Sequence, residues 1–584
     1  MTSFNIETIP FERTSVSVWA GLDVRYTNWP VVYTLQSEDQ IYVGETLNAA
    51  NRLRQHLDTP DKQSLGTIRV ILDNTFNKSA CLDLESYLIR LFSGDGQFQV
   101  LNRNIGITDA AYFDRRQYQT NFDDVFHALK AEGLFSRTLP EIENSDLFKL
   151  SPFKALTGDQ ATAVEQILEG VFRDLSQDRH SMSVIQGNPG TGKTVIGIYL
   201  IKLLSDIALF DFAEPVDEDT VFSSFFTPAI VRQVQNLKIG LVVPQQSLRE
   251  SIQRVFRKTP GLHPDQVLAP FKVGEHPTGW DLLIVDEAHR LNQRANQPSA
   301  QLNKKFKDIN IKLFGDDDNA HTQLDWIIAQ SRHQILLLDS EQAVRPADLP
   351  LTKTRAVIET AKQVDRWYPL VSQMRIQADE DYVGYVRQVL GNKRIAPIAF
   401  NNYEFLMFDD MNDLYAELAI KEKQFGLCRM LAGYAWPWAS SSRSENPAPF
   451  DIDIDGLRFK WNTTAKDWVN STSAFGEVGS IHTIQGYDLN YGGVIIGADL
   501  RYDPSTSSIF IDRQNYFDSK GKENNPKLGV TYSDEDLLTF ITNIYAVLLT
   551  RGIRGTFVYV VDKELRKYLS QYIPKGRMST KVIS

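Results

Sequence analysis

The 584-residue chain carries 62 basic against 73 acidic side chains, a net charge of -11, which disfavours a general polyanion binder: any grip on nucleic acid has to come from a local basic groove. Hydrophobic residues make up 42% and charged residues 23%, an ordinary globular composition with room for about three or four domains and no apolar run of the roughly 18 residues a membrane span needs. Cys81 and Cys428 are the two cysteines, which excludes a disulfide framework and a cysteine-based zinc site, and the opening Met1-Thr2-Ser3-Phe4 lacks a secretory signal, so a cytoplasmic protein without a membrane partner is expected.

From about residue 25 to 115 the pattern is a compact α+β unit. Residues 31–35 and 40–46 are short strands that bring Tyr33 and Tyr42 and share a polar turn. Arg52 and His56 follow at i, i+4 on a helix, then a third strand over 67–72, a second helix with Glu85, and Asn102. This ordered set resembles the GIY-YIG nuclease family, with Val31 where the family has glycine. The resemblance implies a metal-dependent endonuclease: Tyr33 as general base or water-orienting phenol with Tyr42 beside it, Arg52 on the pentavalent phosphate, His56 assisting proton transfer or binding phosphate, Glu85 holding magnesium, and Asn102 bracing the site. A phenol of ordinary pKa, about 10, needs cations nearby to serve as a base at neutral pH.

Residues 122–135 read as an amphipathic connecting helix, and 137–152, with prolines at both ends, as a linker. Beyond a boundary near Ser151, near-continuous apolar strands at 182–186, 239–243, 282–285 and 335–338 alternate with helical segments, the α/β pattern of parallel sheets. Residues 440–455, rich in Ser and Pro and then alternating Asp with Ile, read as an insertion or mobile loop. The expected domains are 25–115, 116–150, 151–350 and 351–584.

Gly187-Asn188-Pro189-Gly190-Thr191-Gly192-Lys193-Thr194 fits G-x-x-x-x-G-K-[ST] between a strand and a helix, so ATP and Mg2+ are the expected ligands. The glycines let backbone amides close around phosphates, Lys193 offsets their charge, Thr194 offers its hydroxyl to magnesium, and the helix N-terminus adds a partial positive charge. Downstream, an apolar strand ends in Asp286 and Glu287. Asp286 would hold magnesium, usually through water, and Glu287 would polarise the attacking water. Upstream, Thr157-Gly158-Asp159-Gln160 opens a helix, where Thr157 or Asp159 could be a cap.

Together with these motifs, Val242-Val243-Pro244-Gln245-Gln246, Asp339-Ser340-Glu341-Gln342, Ser372-Gln373-Met374-Arg375, Ser480 to Asp488 and Val547 to Gly555 come in an order that resembles superfamily 1 helicases, most closely the helicase-like family related to the helicase region of Schlafen proteins. The resemblance implies two RecA-like parallel-sheet lobes behind the small α+β GIY-YIG-type domain. It implies Gln160 as the adenine-reading glutamine, Gln342 reporting the terminal phosphate, Gln485 in the cleft, and Arg375 and Arg551 as cations that the far lobe brings to the transition state. The partner implied is nucleic acid, DNA before RNA; oligomeric state is not readable. The fusion resembles restriction or antiviral defence proteins. An ATP-gated nucleic-acid sensor and an RNA-directed nuclease are the alternative readings.

Overall fold

The computed structural model describes residues 4–103, 112–212, 222–294, 297, 299–339, 344–378, 381–441, 449–463, 467–484, 486–526 and 528–576. The chain divides into two compact units, Met1–Arg179 with Thr194–Ile239 and Ile252–Val267, and His180–Lys193 with Gly240–Ser251 and Leu268–Ser584. Among the described residues no helix is long and apolar enough to cross a membrane, and both cysteines are buried free thiols.

The first unit is built on strands β1 (Phe4–Pro10), β2 (Val31–Gln36), β3 (Gln40–Thr46), β4 (Thr67–Asp73) and β5 (Gln99–Val100), in the order β1-β4-β2-β3-β5. All pairings are antiparallel except β3 with β5. Both faces of this sheet are covered. Val32, Ile41, Val43 and Ile71 pack with helices Lys78–Asp95 and Arg115–Ala131, while Val31, Tyr33, Leu35 and Ile68 pack with Ala49 and Leu53 of helix Ala49–Leu57. Asn48 and Asn77 cap the two helices that bear the expected nuclease residues, each side chain accepting a first-turn amide.

Two expectations for this unit change. The sheet takes in β1, upstream of the expected start at 25. Residues 137–152 are not a bare linker: they form helices Leu139–Asn144 and Asp146–Lys149, because Pro140 falls in the first helical turn, where its missing N–H costs nothing, and Thr138 and Glu141 make a capping box. Ile142 and Phe148 press on Gly94 of helix Lys78–Asp95 so closely that a β-carbon there would stand 2.8 Å from each.

The second unit holds two α/β lobes. Strands β6 (Ser181–Gly187), β7 (Ile239–Val242), β8 (Val267–Leu268), β9 (Trp280–Val285), β10 (Ser331–Leu338) and β11 (Trp367–Leu370) form a six-stranded sheet, β11-β6-β10-β9-β7-β8. β6 pairs in parallel with β10 and β11, and β10 with β9. β11 therefore belongs to the first lobe, which runs past the boundary expected at 350.

The second lobe is a seven-stranded sheet of β12 (Glu404–Met407), β13 (Cys428–Ala432), β14 (Ile452–Ile454), β15 (Leu457–Trp461), β16 (Glu477–Gly479), β17 (Leu489–Ile496) and, after a hairpin of β18 (Leu500–Asp503) and β19 (Ser508–Ile511), β20 (Gly552–Val560). Its order is β12-β20-β17-β13-β16-β15-β14. All its pairs are parallel but β14 with β15, so residues 452–454, expected in a loop, are an antiparallel edge strand.

Candidate functional site

The phosphate loop leaves β6 at Gly187 and turns through two left-handed glycines, Gly190 at φ +87 and Gly192 at φ +78, which open its amides to one side. Thr191 Oγ1 donates to Asn188 O at 2.9 Å, and the Lys193 ammonium donates to Gly187 O at 2.6 Å and Asn188 O at 3.0 Å. Lys193 is thus buried on its own loop, where phosphate oxygens would replace carbonyls as acceptors. Thr194, the next residue, belongs to helix Lys193–Ala208.

A residue the sequence quotes without a role closes over this loop. Gln373 Nε2 donates to Pro189 O at 2.9 Å, its Oε1 accepts the Arg375 amide at 3.0 Å, and Met374 N donates to Gly190 O at 2.9 Å. Gly190 is favoured by its left-handed φ, and a β-carbon there would also push aside the Gln373 carboxamide.

β9 delivers the carboxylates. Asp286 is fully buried; its N–H donates to Val242 O at 2.9 Å and its Oδ1 accepts Glu287 N at 3.0 Å. Glu287 stands at φ +47, and its Oε2 lies 3.1 Å from His289 Nε2. His289 Nδ1 accepts the Asp339 amide at 3.2 Å, so a neutral imidazole carries its proton on Nε2, toward Glu287. Burial works to raise the Glu287 pKa, but the adjacent His289 imidazole and the charges of Lys193 and Arg290 outweigh it and hold the group below the usual carboxylate range. Glu287 is therefore an ionised acceptor, as orienting a water requires. His289 is a further residue that sequence reading left without a role.

From the second lobe, Arg375 forms an ion pair with Asp488. Arg551 is 3% exposed and donates from Nε to Val547 O at 3.1 Å. Burial and the neighbouring Arg375 pull its pKa down, to about 9, against the opposing pull of Asp488, Glu287 and Asp339. Both arginines thus share one electrostatic environment with Glu287. Tyr487 ties the same motif to the other lobe, its hydroxyl 2.9 Å from Ser251 Oγ. Gln342 and Gln485 lie outside the described residues.

These groups fit a magnesium triphosphate. Asp286 is the side chain of the second unit that would hold the ion. Gln160 is fully buried, and its Oε1 accepts the Thr157 amide at 3.1 Å in the capping box of helix Gly158–Ser176. That carboxamide oxygen is committed to the helix start, so Thr157 and Gln160 together supply the cap expected of Thr157 or Asp159.

In the first unit the tyrosine strands pair Tyr33 with Gly44, and a β-carbon at Gly44 would stand 2.5 Å from the Tyr33 ring and hydroxyl. Tyr33 is fully buried with its Oη 2.7 Å from His56 Nε2. Lys62 Nζ, a pure donor, lies 2.9 Å from His56 Nδ1, so Nε2–H is the side that donates to Tyr33. The same ammonium sits 3.9 Å over the Tyr42 ring. Burial, with Lys62 and Arg52 adding to it, drives the His56 pKa down to about 2.

Burial also lifts the Tyr33 pKa well above 10 and that of Tyr42 to about 12, more than Arg52 lowers either. Burial works against the Arg52 cation, but both phenols outweigh it and raise its pKa. Glu85, half-buried on helix Lys78–Asp95, acts on both phenols through its charge. The five expected residues are therefore neighbours: Tyr33 accepts a hydrogen bond from His56, and burial disfavours both the Tyr33 phenolate and the His56 imidazolium. Asn102 clamps β3, accepting Val43 N at 3.1 Å and donating to Val43 O at 2.7 Å.

Residues 180–562 match the family described as Schlafen group 3, DNA/RNA helicase domain. The uncharacterized protein YPL245W of Saccharomyces cerevisiae is 26% identical over 464 residues, covering 74% of this chain and 93% of its own length. Among solved structures the chain is similar to the arterivirus nonstructural protein 10 helicase in complex with DNA, at 13% identity and a TM-score of 0.25, over 68% of this chain and 65% of that one, just under two thirds of its length. It is similar also to the Pif1 helicase from Bacteroides in complex with ADP-AlF3 and ssDNA, at 11% identity and a TM-score of 0.23, over 69% and 92% of the two chains.

Proposed function

We propose a function from one premise: the chain belongs to the Schlafen group 3 DNA/RNA helicase domain family. Its second unit is an ATP-hydrolysing motor that moves along or remodels nucleic acid. The observation that carries this reading is the convergence of Lys193 and Glu287 from one sheet with Arg375 and Arg551 from the other.

Bound ATP supplies the phosphoryl group, and its magnesium neutralises charge developing on the phosphates. Lys193 exchanges its carbonyl acceptors for phosphate oxygens. Glu287, kept ionised, accepts a hydrogen bond from the attacking water and aims it, while His289 fixes the carboxylate and links it to Asp339. Arg375 and Arg551 place cations from the far lobe against the transition state, so hydrolysis requires both lobes together. Gln373 holds the segment bearing Arg375 on the phosphate loop.

Measuring ATP hydrolysis with single-stranded DNA, single-stranded RNA or neither tests the reading. Wild-type turnover should rise with a strand present and vanish in Lys193→Ala. Turnover that ignores every nucleic acid would return the protein to the class of ATP-gated sensors.

A second activity, magnesium-dependent phosphodiester cleavage in the first unit, is supported by the grouping of Tyr42, Arg52 and Glu85 around the Tyr33–His56 pair. Tyr42 orients water, Arg52 meets the phosphate and Glu85 is the residue that would hold the metal. We favour DNA as its substrate. Labelled DNA and RNA incubated with magnesium should be cut by the wild type and left whole by Glu85→Ala; equal cutting by both proteins sinks this assignment, and cutting of RNA alone reassigns the substrate.

A further inference from the structure

The geometry points to a guanine-binding pocket at the edge of the seven-stranded sheet. A cavity of about 290 Å³ opens beside the first residues of β12 and β20, with Arg554 and Glu404 in its wall. That is at the small end of ligand pockets, roughly 300–1,000 Å³, and suits one base with its sugar.

Arg554 lies with its guanidinium carbon 4.6 Å from the centre of the Phe425 ring, and its Nε is buried with no hydrogen-bond partner. Among the described residues no hydrogen bond engages the terminal nitrogens of Arg554 either, and with the residue in the cavity wall these are the donors that a ligand acceptor would meet. Glu404 contributes the opposite chemistry. Its Oε1 already accepts from Lys421 Nζ at 2.7 Å and Tyr491 Oη at 2.8 Å, while no hydrogen bond among the described residues engages Oε2. The carboxamides of Gln377 and Asn401 stand at the exposed rim, and Phe400, its ring centre 6.5 Å from that of Tyr403, supplies an aromatic wall.

An anionic ligand would satisfy Arg554 but bring no donor to the second oxygen of Glu404. Guanine satisfies both: O6 and N7 are two acceptors on one edge for a guanidinium, and N1–H with the N2 amino group are donors on the adjoining edge for a carboxylate. Adenine presents an amino donor beside N7 and would oppose one arginine donor to another. The pocket also touches the motor. Gln377 N donates to Ile553 O at 2.9 Å, which joins the segment carrying Arg375 to the one carrying Arg551.

A free guanine nucleotide and a guanine of a bound strand offer the same chemistry, and the test separates them. Calorimetric titration with guanosine, which has no phosphate for the P-loop, needs neither ATP nor a strand, so its outcome is independent of the motor reading. Guanosine should bind the wild type and bind about tenfold more weakly to Glu404→Gln and to Arg554→Leu, with adenosine binding far less. Glu404→Gln preserves shape, and an unchanged melting temperature confirms that its loss is not unfolding. In a second arm, fluorescence anisotropy compares an all-dT strand with one carrying a single dG. A preference for dG that Glu404→Gln removes assigns the pocket to the strand; guanosine binding without that preference assigns it to the free nucleotide. Absence of guanosine binding, equal binding of adenosine, or indifference to both substitutions overturns the pocket.

Discussion

Gln373 donates to the carbonyl of Pro189 across 2.9 Å while accepting the amide of Arg375, so the residue two before an arginine of the far lobe is also a strut of the phosphate loop. The loop and the arginine are therefore set by one side chain. Gln373→Ala should lower kcat/KM for ATP about tenfold, from two lost hydrogen bonds, with KM rising and kcat falling together. Because Gln373 is exposed, the melting temperature should hold; a fall in melting temperature with unchanged kinetics would make the side chain merely structural.

Arg375→Ala and Arg551→Ala should each reduce the rate of ATP hydrolysis on the order of 10³-fold while leaving ADP affinity near the wild-type value, since their cations act on charge that develops in the transition state. Stopped-flow turnover and an ADP titration separate the two effects. Equal losses in both measurements would place the arginines in ground-state binding.

His56 gives the protein an acid sensitivity of defined sign. Its unfolded imidazole titrates near 6.5, whereas the folded one is pushed down to about 2. Between those values the unfolded chain binds a proton that the folded chain refuses, so stability is intact above about pH 6.5 and falls below it by about 1.4 kcal/mol per pH unit. Denaturant midpoints at pH 7.5 and 5.5 should therefore diverge in the wild type and draw together in His56→Gln. The same acid slope in both proteins would remove His56 as its source.

The approach of Tyr33 to Gly44 predicts a double-mutant coupling. Gly44→Ala sets a methyl group 2.5 Å from the buried phenol and should cost about 1–3 kcal/mol, measured by denaturant unfolding. In a Tyr33→Ala background the same change should be close to neutral. A full cost in both backgrounds would show that the glycine serves something other than the ring.

The P-loop and the Asp286-Glu287 pair are legible in the chain because cradling phosphate and holding magnesium demand fixed residue types at adjacent positions. Gln373 is not legible in the same way: its partner Pro189 is 184 residues away, and nothing in Ser-Gln-Met-Arg announces a carbonyl to meet. The lobe boundary fails for a related reason. Helix and strand alternate without interruption past residue 350, and only pairing with β6 shows that β11 joins the first sheet. Residues 137–152 mislead because proline breaks a helix interior but suits its first turn. The burial of Tyr33 is not legible because its strand does not show that helix Ala49–Leu57 covers that face. The pocket at Arg554 depends on β12 and β20 meeting, which no local pattern encodes.

Glu287 occupies a backbone conformation that glycine or asparagine adopts with less strain, and it does so with φ +47 at the residue proposed to aim the attacking water. Chain geometry and chemistry thus make opposite demands at one position. Replacing Glu287 by glycine or asparagine would therefore relax the backbone and remove the carboxylate in the same step.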